Sequence, residues 1–187
     1  MKNMNVTQWC HHFLEMQVQP GDLCIDATAG KGNDTKKLAE LTGPLGQVLA
    51  FDIQADALEA TAELLEKHDL ASRVQLLHTG HEHMADYAEP ESVNCIVFNL
   101  GYLPGGDHTI ATGSATTLAA IQSGLTLLKH QGLMALCIYQ GQDTGFEEHD
   151  RVLEYLKQLD PRKYLVILSS YLNRPNTPPD LALLIKL

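Results

Sequence analysis

Leu23-Cys24-Ile25-Asp26-Ala27-Thr28-Ala29-Gly30-Lys31-Gly32-Asn33-Asp34-Thr35 is the stretch on which the fold turns. A short apolar run ends in an acid, a Gly-x-Gly turn follows, and Asn33-Asp34-Thr35 opens a helical pattern. Glycines let a backbone turn tightly and approach a ligand, and the free N–H groups of a helix start can meet it. In the dinucleotide fingerprint a third small residue stands three places after the second glycine, but Thr35 occupies that place, which argues against a nicotinamide oxidoreductase. Asp26 instead suits a ligand with a positive amino group, and S-adenosylmethionine carries one beside its carboxylate, sulfonium and ribose. The bland alternative is a helix-capping acid beside a structural turn.

Working outward, short apolar runs alternate with helical patterns along the chain. Strands are expected over residues 23–26, 47–52, 74–78, 93–99, 133–140, 164–171 and 181–187, with helices over 6–17, 33–42, 55–68, 114–129 and 147–159. Runs such as Cys95-Ile96-Val97-Phe98 are apolar on both faces, as strands of a covered parallel sheet are. The fold class expected from this alternation is α/β: a mostly parallel sheet with helices on both faces, in one domain spanning 1–187. The connector Leu172-Asn173-Arg174-Pro175-Asn176-Thr177-Pro178-Pro179-Asp180 cannot be helical, so the last two strands should pair antiparallel at or near an edge.

The second strand ends in Asp52, a carboxylate able to accept from both hydroxyls of a ribose, and Ile53 beside it could pack on an adenine face. After the third strand, Gly80-His81-Glu82-His83 offers polar edges for an adenine amino group. Acid, Gly-x-Gly, second acid and polar turn, in that order at successive strand ends, favour a cofactor cradle over a structural loop. His78, His81, Glu82 and His83 match no metal-ligand spacing, so no metal is expected.

The fourth strand runs into Asn99-Leu100-Gly101-Tyr102-Leu103-Pro104-Gly105-Gly106-Asp107-His108-Thr109. Asn99 and Tyr102 reproduce the Asn-x-x-Tyr spacing of the Asn-Pro-Pro-Tyr motif of amino-methyltransferases, with Leu100 and Gly101 in place of the prolines. Methyl transfer to nitrogen needs a neutral lone pair held in line with the sulfonium by acceptors for the amine hydrogens. The Asn99 amide oxygen and a backbone carbonyl supply such acceptors, and Tyr102 offers an aromatic face to a flat base. Asp107 and His108 are candidates to take the amine proton. Ordinary turn chemistry is the competing reading of that pair.

Composition bounds the partners. With 13 Lys+Arg against 23 Asp+Glu the net charge is −10, so bulk attraction to a polyphosphate backbone is excluded and any nucleic-acid contact must be local. No run of eighteen apolar residues suggests a membrane span. Met1-Lys2-Asn3-Met4-Asn5 shows no signal-peptide core, and Cys10, Cys24, Cys95 and Cys137 lie far apart, mostly inside apolar strands, as core thiols of a cytoplasmic protein would. The sequence leaves a homodimer open.

Through residues 26–35 and 99–107 together, the chain resembles a bacterial family labelled "putative rRNA methylase" and associated with a tRNA modification. The similarity spans essentially the whole chain. It implies a class I S-adenosylmethionine-dependent methyltransferase, with a seven-stranded, mostly parallel Rossmann-like sheet covered by helices on both faces, that turns 5-aminomethyl-2-thiouridine at the tRNA wobble position into its methylaminomethyl form. The anticodon region of tRNA would then be the substrate. The resemblance assigns Asp26, Thr28, Gly30, Gly32, Asn33 and Asp34 to the methionine end of the cofactor. Asp52 and Ile53 would hold ribose and adenine, with His81 and Glu82 beside the adenine. Asn99, Leu100 and Gly101 would flank the transferable methyl. Arg174 and Asn176 are the candidates for RNA contact, since a guanidinium can grip a phosphate bidentately or stack on a base. A methyl or aminopropyl transferase for a free small amine suits the acidic surface better. A non-catalytic binding module on the same fold is a further alternative.

Overall fold

The computed structural model describes residues 4–100, 114–140, 145–175 and 178–187. Its elements run α1 (Val6–Gln17), β1 (Leu23–Asp26), α2 (Asn33–Thr42), β2 (Gln47–Asp52), α3 (Ala55–Lys67), β3 (Val74–His78), β4 (Val93–Leu100), α4 (Ser114–Leu127), β5 (Leu128–Ile138), α5 (Gly145–Lys157), β6 (Tyr164–Ser169) and β7 (Asp180–Lys186). The seven strands form one sheet in the order β3-β2-β1-β4-β5-β7-β6. β1 to β5 are parallel, and β7 runs antiparallel to both β5 and β6. This is the Rossmann-like arrangement expected, with β6 at the edge.

Alternation along the central strands splits the core in two. Cys24, Val48, Cys95, Val97, Ala135 and Cys137 face Val6, Cys10 and Leu14 of α1, Leu38 and Ala39 of α2, and Leu65 of α3. Ile25, Leu49, Phe51, Ile96, Phe98 and Leu136 face Met84, Ile121 of α4, and Val152 and Leu156 of α5. Phe51 and Phe98 have no exposed surface, and burying such a side chain contributes about 2 kcal/mol. Burial pushes the thiols of Cys24 and Cys95 upward, and contact with the Cys137 thiol together with burial does the same for Cys10, so they behave as small core residues and not as nucleophiles.

The helix expected to run to 129 stops at Leu127, and β5 begins at Leu128 with no loop between them. Leu128 pairs with Val93 and Leu133 with Cys95, so residues 129–132 bulge out of the ladder, with Gln131 at φ 63°. The apolar pair Leu127-Leu128 fits either pattern, which is why the boundary was not readable locally. Among the described residues no helix is long and apolar enough to cross a membrane.

Candidate active site

The strand order reverses between β1 and β4, and in such sheets ligands gather over the carboxyl ends at that reversal. Period-two alternation sends Asp26, Asp52 and Asn99 to the same face as Cys24, Val48 and Cys95, toward α1, α2 and α3. Three polar residues from three strands thus crowd one rim.

Asp26 is completely buried. Its carboxylate accepts from the Thr28 N–H at 3.1 Å and the Thr35 hydroxyl at 2.6 Å. Burial and the neighbouring Asp34 charge push its pKa up to about 7, against which the two hydrogen bonds act. An acid kept near neutrality inside a cleft is a group short of a cation. Thr35, whose position spoke against a dinucleotide, proves to be the donor that orients Asp26.

The turn between strand and helix is glycine for steric reasons. Gly30 and Gly32 have φ of 54° and 77°, and a Cβ on Gly32 would fall 2.9 Å from the Thr61 hydroxyl of α3. Thr61 also donates to the Gly30 carbonyl at 3.1 Å, so α3 buttresses the turn. Asp52 accepts from the Gly30 N–H at 2.8 Å through one oxygen and from the Gln54 N–H at 2.9 Å through the other. Each oxygen keeps a second lone pair for a ribose hydroxyl.

Asn99 is held twice. Its backbone N–H donates to the Thr28 hydroxyl at 2.7 Å, and its side-chain Nδ2 donates to Asp34 at 2.5 Å. The other oxygen of Asp34 pairs with His11 Nε2 of α1. Leu100 behaves differently: its side chain is buried in the opposite core and its carbonyl accepts from the Tyr139 N–H at 3.1 Å, so it meets the rim through backbone alone. Thr28 and Asn33 stand at the same turn, Asn33 as the first residue of α2.

At the far side of the rim Ile53 is 56% exposed, an apolar surface open to a flat ring. His78 Nε2 donates to the Ile53 carbonyl at 3.0 Å and so fixes that loop. His81 Nδ1 donates to the Ala27 carbonyl at 3.2 Å, which leaves Nε2 with a lone pair. Burial lowers the His81 pKa, keeping the ring neutral, and among the described residues the buried Nε2 finds no hydrogen-bond partner. His83 lies instead near Glu82 and Asp86, at 3.7 and 3.8 Å. Among the described residues no three metal-binding side chains converge. Arg174 is exposed in the connector before β7. Gly101, Tyr102, Asp107, His108 and Asn176 lie outside the described residues.

The donor set fits S-adenosylmethionine on three counts: a buried carboxylate needing a cation, a strand-end carboxylate with spare lone pairs, and an orphaned acceptor at the adenine side. Comparison with known proteins agrees. A family model described as "Putative rRNA methylase" matches residues 48–185. The chain belongs to this family. It is 37% identical over 181 residues to the chloroplastic tRNA (mnm(5)s(2)U34)-methyltransferase of Arabidopsis thaliana, covering 92% of this chain and 66% of that protein's length. The chain thus spans just under two thirds of that relative. A family protein from Clostridium thermocellum has the same fold at a TM-score of 0.97, with 41% identity over the whole of both chains. A "putative methyltransferase" from Streptococcus mutans, solved with SAH, superposes at a TM-score of 0.90 with 38% identity, again over both whole chains.

Proposed function

We propose that the protein is an S-adenosylmethionine-dependent N-methyltransferase acting on tRNA, converting 5-aminomethyl-2-thiouridine at the wobble position to 5-methylaminomethyl-2-thiouridine. Asn99 carries the chemical half of this reading: an amide whose nitrogen is committed to Asp34 has its oxygen left to accept from an amine. The 37% identity to the Arabidopsis tRNA enzyme supports the substrate half.

When bound, the cofactor supplies a methyl group on a sulfonium, activated for in-line displacement. Asp26 ionises against the ammonium of the methionine end, where Thr28, Gly30, Gly32, Asn33 and Asp34 form the walls. Asp52 accepts from the ribose hydroxyls, Ile53 packs on the adenine, and His81 and Glu82 meet its polar edge. Asn99 holds the neutral amine by one N–H, with the backbone of Leu100 and Gly101 alongside, so that its lone pair points at the methyl carbon. As the N–C bond forms the C–S bond breaks, and the proton left on nitrogen passes to Asp107, His108 or solvent. Tyr102 stacks on the base, Arg174 and Asn176 hold the RNA, and the work is cytoplasmic.

The net charge of −10 favours a free polyamine as the competing substrate. Labelled methyl transfer decides: incorporation into tRNA from cells lacking this methyl group, and none into polyamines, is expected. Transfer to polyamines alone would replace the tRNA reading.

A further inference from the structure

We infer that His11, on the leading helix, is a positioning residue for methyl transfer: acting through Asp34, it locks the Asn99 amide with its oxygen turned to the incoming amine. This rests on the methyltransferase reading and deepens it by bringing α1 into the reaction.

Asp34 lies 5% exposed in the first turn of α2 with both oxygens engaged, one by His11 Nε2 and the other by Asn99 Nδ2 at 2.5 Å. A carboxylate only accepts, so both partners must donate, and this settles which end of the Asn99 amide faces it. The backbone of Asn99 is fixed separately by Thr28, so the side-chain torsions are the freedom that Asp34 removes. Asp34 has freedom of its own. Without His11, one oxygen of a nearly buried carboxylate loses its donor, and the plane of the Asp34 carboxylate, against which the Asn99 amide is set, is no longer fixed from both sides.

His11 is not needed to seat α1. Val6, Cys10 and Leu14 anchor the helix in the core, Asn5 and Gln8 close its first turn, and Lys37 of α2 pairs with Glu15 on the outer side at 2.5 Å. An imidazole 25% exposed, on a helix already held this way, gives its hydrogen bond to the reaction centre.

The test compares His11→Ala and His11→Gln with wild type in single-turnover and steady-state transfer to the tRNA. His11→Ala should lower kcat by about 10- to 100-fold, the scale of a misplaced reactant. KM for the cofactor and SAH affinity should stay within about threefold, because Asp26 and Asp52 are untouched. His11→Gln, which keeps a donor at that place, should recover most of the rate. An unchanged kcat in His11→Ala, or a loss that Gln does not relieve, overturns the inference. If the alanine variant does not fold, or wild type transfers no methyl to tRNA, the contact is read in the wild-type protein by side-chain ¹⁵N NMR of its asparagines. Slow exchange of an Asn99 amide proton that speeds up in His11→Leu, which has no donor at that place, supports the clamp, and slow exchange unchanged in that variant, or fast exchange in wild type, overturns it. Absent transfer by wild type counts against the tRNA reading alone.

Discussion

Two polar clusters sit on the same carboxyl rim but on opposite faces of the sheet, and they differ in how their charges are balanced. Toward α1 and α2 stand Asp26, Asp34 and Asp52, with His11 as the one basic group bonded to them among the described residues. Toward α5, His149 lies between Asp180 and Asp150 at 3.0 Å each, Gln140 adds a contact to His149 at 3.0 Å, and Thr117 donates to Glu148 at 2.6 Å. The second cluster satisfies itself. The first leaves Asp26 with a pKa near 7 and, among the described residues, His81 with an unpartnered nitrogen, so it keeps capacity for a ligand. Burial of polar groups is common to both, and the imbalance is what distinguishes a binding site from a structural network.

The comparison breaks most visibly at the self-satisfied cluster. Asp180→Ala should strand His149 and lower unfolding free energy by about 3 kcal/mol in denaturant titration, while SAH affinity measured on the folded protein stays put. A loss of SAH binding at constant stability would place that cluster in the cofactor site. Asn99→Ala should do the reverse, lowering kcat by about 100-fold with little change in melting temperature or SAH affinity. Equal losses of stability and rate would reduce Asn99 to a structural residue.

Proton linkage sharpens the contrast further. The folded-state pKa of Asp26 lies above its unfolded value, so the ligand-free protein binds more protons than the unfolded chain between about pH 4 and pH 7. Its stability from this group therefore falls as pH rises through that window. A cationic ligand pairs with the ionised form, so SAH affinity should rise about tenfold per unit toward pH 7 and level off above it. Affinity that is flat from pH 5.5 to 8 would show that Asp26 does not meet the ammonium. The smallest effect is expected at Arg174→Ala, a few-fold weaker tRNA binding with a salt slope reduced by about 1. An unchanged slope would remove Arg174 from the RNA contact.

The fold was largely legible because the strands that carry the site are short, apolar and closed by acids or glycines. β1, β2 and β3 fall on the expected residues, and β7 pairs antiparallel with β6 as the proline-rich connector required. Boundaries failed where one apolar pair served two elements, as at Leu127-Leu128. Asp26 and Asp52 were visible by position at strand ends. His11 was not, because its partner is 23 residues away on another helix and a histidine between core positions gives no local signal. In the sequence Thr35 reads only as a missing glycine, since its role depends on the helix folding back over Asp26.

Calorimetric titration of SAH into wild type and Asp26→Asn at pH 8 tests the cradle most directly. Wild type should take up one SAH per chain, and the variant should bind about 10-fold or more weakly while melting no lower than wild type, because it no longer buries a charge. Equal affinity in the two proteins, or no uptake by wild type, would contradict a site built around that buried carboxylate.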